Sequence, residues 1–207
     1  TEAKRIAAPP LVQQGNTLAG DLLLTDAIAK FALAKQYDPT LELDPDTEAN
    51  RIAACELVKK GKALVQQDDV SPADVQAALE AYQTAQTYDA KLTISVNDWN
   101  SLLWFGSIHA ALHDQPNLVK QLLAASQAAL DADPSDTGYR DTLGVAKVLS
   151  GDKRRYKSAI KDFEYYIADS APSSESKEQR QRWIDALSQA KPQNPFTKDE
   201  IKTLFGQ

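Results

Sequence analysis

Methionine is absent from the 207 residues, cysteine occurs once, histidine twice and glycine eight times, and no apolar run approaches the thickness of a bilayer. Each scarcity removes a class of protein. A single thiol, Cys55, cannot close an intrachain disulfide, so nothing marks an oxidising compartment and the cytoplasm is the expected location. The longest apolar stretch, 101–112, contains Gly106 and His109 and falls short of the roughly 20 residues a spanning helix requires. No membrane insertion and no signal peptide are expected, and the lack of any Met, an initiator included, leads to the expectation that the chain is cut from a longer one. Basic residues are outnumbered, with 23 Lys and Arg against 29 Asp and Glu and a formal net charge of -6. Duplex binding needs a dominant Lys/Arg field that releases counterions, so nucleic acid is not an expected partner. The one basic cluster, Lys153, Arg154, Arg155, Lys157 and Lys161, is diluted by Asp152, Asp162 and Glu164 and reads as a solvated loop and helix face.

What the chain does have is an echo of itself. Residues 1–18, TEAKRIAAPPLVQQGNTL, match residues 47–64, TEANRIAACELVKKGKAL, at 11 of 18 positions without a gap, a shift of 46 residues. A fixed shift of this size marks a stacked repeat, in which each element buries its apolar face on the next. The second copy is preceded by Leu43-Asp44-Pro45-Asp46, whereas the first begins at Thr1, which suggests an upstream repeat. After Gly15 and Leu18 the first repeat continues through Ala27, Phe31, Ala34 and Asp38-Pro39, and the second through Ala78, Tyr82, Ala85 and Asp89-Ala90. Positions 27, 31 and 34 are spaced i, i+4, i+7, so a small, a large and a small residue share one helical stripe. Each repeat therefore reads as two helices.

The order Leu11, Gly15, Leu18, Ala27, Phe31, Ala34, Pro39 resembles the tetratricopeptide repeat, a helix-turn-helix of about 34 residues. Leu11, Gln14 and Leu18 stand where that family has Trp, Leu and Tyr. The second repeat carries five extra residues, 67–71, between its helices, with Ser71-Pro72 as a helix start. In the first, Pro9-Pro10 should interrupt the leading helix, leaving residues 1–8 kinked away or frayed. A third repeat rests on spacing, with Trp99, Leu102, Leu103, Phe105, Gly106, Ile108 and Leu112 on its first helix and 118–130 as its second, stopping at Asp133-Pro134. In the fourth, Leu143-Gly144, Ala159-Ile160 and Phe163 follow the family order, Lys153-Arg154-Arg155 is inserted in the turn, and Lys147 replaces the usual Tyr. A helix over 175–190 with Trp183, Ile184 and Leu187 suits a solenoid cap, and Thr197 with Glu200 forms a capping box for a short last helix.

The resemblance thus implies an all-α solenoid of helical hairpins wound as a right-handed superhelix. Its repeats are expected at about 1–46, 47–94, 95–134 and 135–171, with 172–207 as capping and terminal helices. It further implies a protein-interaction scaffold that binds a peptide or helix in its concave groove. The family lines that groove with the first helix of each repeat, which points to Val12, Asn16 and Ala19, then Val58, Lys62 and Val65. Trp104 joins them from the densest aromatic group, Trp99, Trp104 and Phe105; both tryptophans are expected mainly in the repeat core, one set buried internally and the other against a neighbour, with a partner hot spot as the alternative. The Lys/Asn set with which chaperone-binding relatives hold a terminal carboxylate is not matched. Residues 180–205, RQRWIDALSQAKPQNPFTKDEIKTLF, are also similar to the ends of repeat regions in large bacterial multidomain proteins that carry WD-repeat, caspase-like or nucleotide-binding modules. The alternative use of the same surface is homo-oligomerisation or docking within a longer chain.

Chemistry is sparse. His109 and His113 are one turn apart, as two metal ligands would be, but the zincin glutamate position is Ala110 and no third ligand follows beyond Asp114. Asp44, Asp46 and Glu48 alternate like a calcium loop broken by Pro45 and by Ala49 where glycine is needed, and read instead as a helix start with Asp46 as N-cap. Cys55 aligns with Pro9 and lies in a different repeat from both histidines, so it lacks a base. No phosphate loop, GxSxG elbow or CxxC pair occurs. No catalytic residue, metal or cofactor is expected, and a hydrolase or metal-binding protein built on Cys55 or His109 is the remote alternative.

Overall fold

A computed structural model describes residues 2–132, 135–169 and 171–206. The described residues are helical throughout, with no strand among them. In chain order they form α1 (Glu2–Gly20), α2 (Leu24–Tyr37), α3 (Pro45–Val65), α4 (Pro72–Tyr88), α5 (Val96–Leu112), α6 (Pro116–Ala125), α7 (Gln127–Ala132), α8 (Thr137–Leu149), α9 (Tyr156–Ala168), α10 (Ser174–Leu187) and α11 (Lys198–Thr203). Single 3-10 turns lie at Lys153–Arg155 and Leu204–Gly206. No helix is long and apolar enough to cross a membrane among the described residues. The chain divides into two compact units, Thr1–Gly61 with Glu80–Thr93, and Lys62–Leu79 with Ile94–Gln207.

In the first unit α1 and α2 pack as an antiparallel pair closed by a glycine facing an aromatic ring. A Cβ placed on Gly15 would lie 2.7 Å from the Phe31 ring, so only a bare backbone lets α1 approach this closely. Phe31 is fully buried with Ala19, Ala27 and Ala49, and Val12, Leu18, Ile28 and Ile52 pack on the cluster. Burying a phenylalanine side chain contributes about 1.5–3 kcal/mol, and the alanines around it keep the helices close enough to retain that contact. Leu22 takes the left-handed conformation (φ 65°) that ends α1, and the Leu23 N–H donates to the Leu18 carbonyl at 2.8 Å in the six-to-one closure of such caps.

Two expectations for this unit are corrected. The Pro9-Pro10 pair does not interrupt the leading helix, because α1 runs through it from Glu2. Both rings are exposed, as are Arg5 and Ile6, the residues whose carbonyls lose their i+4 donors to the prolines. The preceding turn is also held from outside, by Lys4 over the Tyr37 ring at 5.5 Å and Arg5 at 3.9 Å from Asp38. At the start of α3 the cap is Asp44, not Asp46: its Oδ1 accepts the Thr47 N–H at 2.9 Å. Pro45 then occupies the first helical position, where a missing N–H costs nothing. The expected boundary at Thr1 lies outside the described residues, as does the stop at Asp133-Pro134.

In the second unit the glycine contact recurs twice. A Cβ on Gly106 would meet Leu122 at 3.0 Å, and one on Gly144 would meet the Phe163 ring at 2.6 Å. The second helix expected over 118–130 is instead α6 and α7, broken at buried Ser126, whose carbonyl accepts the Tyr139 hydroxyl at 2.6 Å. The Ser126 hydroxyl donates to the Leu123 carbonyl at 3.3 Å, the acceptor that the next helical N–H would use, while the Ser126 carbonyl serves both the Tyr139 phenol and the Ala129 N–H at 3.1 Å. Trp183 on α10 is buried between Phe163 (5.4 Å) and Phe196 (4.8 Å) and donates Nε1–H to Glu200 at 3.3 Å. Thr197 caps α11 by accepting the Glu200 N–H at 3.2 Å, and α11 packs against α5.

The glycine contacts make a direct prediction. Gly144→Ala should lose about 1–2 kcal/mol in urea denaturation, because overpacking outweighs the gain in helix propensity. Gly138→Ala, whose Cβ would meet nothing closer than 3.5 Å, should be neutral or stabilising by up to about 1 kcal/mol. Equal effects at the two positions would refute the packing argument.

Candidate functional site

Within the second unit a pocket of about 550 Å³ opens between α5, α8 and α10, with Tyr166 of α9 at its edge. On α5 the residues that reach it are Asn100, Ser101, Trp104 and Phe105, consecutive turns of one helical face. Trp104 and Phe105 are only half-buried, whereas Trp99, Leu102 and Leu103 on the opposite stripe are in the core. Ser95 begins that helix by accepting the Asp98 N–H at 3.1 Å, which sets the register of both stripes.

The pocket floor is an ion pair. Arg180 of α10 donates Nε–H to Asp141 Oδ1 at 3.0 Å and a terminal N–H to Oδ2 at 2.6 Å, with the arginine 3% and the aspartate 5% exposed. This parallel fork is the strongest arrangement open to the two groups. The guanidinium also lies 5.0 Å from the Tyr166 ring and 4.7 Å from Trp183, so it is stacked as well as paired. Burial pushes the Asp141 carboxyl above the ordinary carboxylate range, while the hydrogen bonds and charge of Arg180 pull it back. A second buried carboxylate, Asp162, is raised by burial in the same way and held by Lys147 at 2.5 Å and Arg140 at 3.5 Å. Asn100 also lines the pocket, and its Oδ1 is buried with no hydrogen-bond partner among the described residues.

The residues selected from sequence fall unevenly on this picture. Ala19 is fully buried in the first unit's core, and Val58 and Val65 are also buried, so none of the three presents a surface to a ligand. Val12 packs on the Phe31 cluster and Asn16 is exposed. Lys62 is half-buried and bonds Asp98 at 3.1 Å. Only Trp104 lines the pocket. The partners that shape it, Asp141 and Arg180, are 39 residues apart and were not selected. Their signal was a charge on otherwise apolar helical stripes: Asp141 next to Leu143-Gly144, and Arg180 one turn before Trp183-Ile184.

The two histidines do not form a site together. His109 is buried, stacked on Phe205 at 4.7 Å with the rings tilted by 53°, and its Nε2 is unpartnered among the described residues, whereas His113 is exposed at the helix end. No cluster of three or more metal-ligating side chains occurs among the described residues. Cys55 is a free, half-buried thiol. No family model matches the chain, and neither a curated protein nor a solved structure does.

Two outcomes are expected from these buried groups. Arg180→Met, which leaves Asp141 buried and alone, should cost about 3–5 kcal/mol, and the double change with Asp141→Leu should recover most of it in urea denaturation. Burial holds the His109 pKa below 6.5, helped by the charge of His113 and opposed by the Val65 and Gln67 carbonyls and by Asp69. The unfolded chain takes up this proton first, so His109 contributes stability above about pH 6.5 that is lost as pH falls toward the lower folded value. Thermal melts between pH 7.5 and 5.5 should show that fall, and His109→Leu should flatten it.

Proposed function

We propose that the chain is a tetratricopeptide-like helical protein that serves as a protein-interaction scaffold, taking a peptide or helix in a concave groove lined by the first helices of the hairpins in its second unit. Three hairpins support the structural half of this reading. Gly15 faces Phe31 and Gly106 faces Leu122 at the same sequence spacing of 16, and Gly144 faces Phe163 at 19, the difference being the Lys153-Arg154-Arg155 insertion. A small residue on the first helix thus meets a bulky one on the second in each pair.

The observation that carries the functional half is the pocket between α5 and α8, the first helices of their hairpins, and α10, with Trp104 half-exposed at its wall. Exposed tryptophans in concave surfaces are the usual anchors of protein interfaces, since one ring buries a large area at little entropic cost. A groove built on helices rather than loops also keeps its shape without a ligand, which lowers the ordering cost of binding.

The test is selection of a random 12-residue peptide library on the immobilised chain, followed by calorimetry and sedimentation. Recovered peptides should bind a monomeric chain, and Trp104→Ala should weaken them by at least thirtyfold with little change in melting temperature. A concentration-dependent dimer abolished by Trp104→Ala would replace this reading with homo-oligomerisation. Recovery of no binder from a monomeric chain would count against both.

A further inference from the structure

The chemistry of the pocket narrows what it can hold. Its formal charges, Asp141 and Arg180, are consumed in one bidentate pair, and the arginine is also stacked on Tyr166 and Trp183. A charged ligand group entering the pocket would lose water and gain no counter-charge, which costs several kcal/mol in general. An uncharged apolar group would instead meet the half-exposed rings of Trp104, Phe105 and Tyr166. The pocket therefore selects against both signs of charge.

One polar demand remains. Asn100 Oδ1 is an acceptor shielded from water and without a partner among the described residues. A buried acceptor left unpaired is destabilising by about 1–3 kcal/mol, so its presence in a folded helix calls for a donor from elsewhere. Asn100 and Trp104 stand at i and i+4 and both line the pocket, so a group seated against the Trp104 ring lies beside the Asn100 amide.

We infer that the pocket is the anchor site for an uncharged peptide segment, one bulky apolar side chain seating against Trp104, Phe105 and Tyr166 while an adjacent peptide N–H donates to Asn100 Oδ1. This rests on the interaction reading above and specifies its ligand. Charged termini are excluded as the group that enters, and the partner is a segment read by its main chain and one side chain.

The experiment uses the full ¹⁵N-labelled chain and follows the Trp104 indole resonance, assigned with Trp104→Phe. The probes are N-acetyl-L-phenylalaninamide, its analogue methylated at the phenylalanine nitrogen, and the corresponding lysine and glutamate amides. The phenylalanine probe should shift the resonance saturably with a dissociation constant on the order of 1 mM, as suits so small a ligand. The methylated analogue should bind about tenfold more weakly, the value of one hydrogen bond. The lysine and glutamate probes should leave the resonance unmoved. Asn100→Leu should retain the fold, because it removes an unpaired acceptor, and should bind both phenylalanine probes equally. Equal binding of both probes by the unaltered chain, or shifts from the charged probes, would overturn the assignment. Shifts confined to other helices would also overturn it while leaving the scaffold reading intact, since that reading stands or falls on the peptide selection.

Discussion

The close approach of paired helices across a glycine is the constraint on which the rest of this structure depends. At Gly15 and Gly144 a single methyl group would sit inside van der Waals contact with a phenylalanine ring, and at Gly106 it would press on Leu122. Interiors are packed like molecular crystals, so a half-ångström separation of the pair would forfeit much of the dispersion energy along the whole seam. The alanines at 19, 27 and 34 follow from the same requirement: each is fully buried, and each lets a neighbouring backbone come near. Stability here comes from shape at a few positions more than from a large aromatic core.

Once the pairs are closed, the polar groups trapped between them have to be reconciled with burial. Asp141 and Asp162 are both carboxylates driven upward in pKa by desolvation, and both are retained by cations brought from another helix, Arg180 in one case and Lys147 with Arg140 in the other. Such pairs add little net stability over apolar packing but allow only one register of the helices that carry them. Arg180 makes that role concrete, since its fork fits Asp141 while its plane lies against two aromatic rings, one of them the buried Trp183. The pocket is a by-product of the arrangement: the ion pair forms its floor, and the outward stripe of α5 forms its wall.

Much of the helical organisation was legible from local pattern. The small-large-small stripe at 27, 31 and 34, the Ser71-Pro72 start, the Thr197 cap and the core stripe of Trp99 and Leu102-Leu103 all depend on neighbours within one or two turns. The misreadings share a cause in context. Pro9-Pro10 is tolerated because both rings lie on an exposed face of α1, and α6 stops at Ser126, whose hydroxyl takes the Leu123 carbonyl while its own carbonyl accepts the Tyr139 phenol. Val58, Val65 and Ala19, carried over as groove residues, are buried, because a family position specifies a helical face and not what lies over it.

By itself the sequence determined that the chain is helical, that its glycines and alanines fall where helices must approach, and which residues open most of the helices. These are properties of spacing and of backbone groups close along the chain. Only the tertiary structure decided which charges become partners and which aromatic ring stays half in water. Asp141 and Arg180 are 39 residues apart, and no local periodicity can pair them. Trp99 and Trp104 look alike in sequence, yet they differ in exposure because one faces the packed seam and the other the pocket.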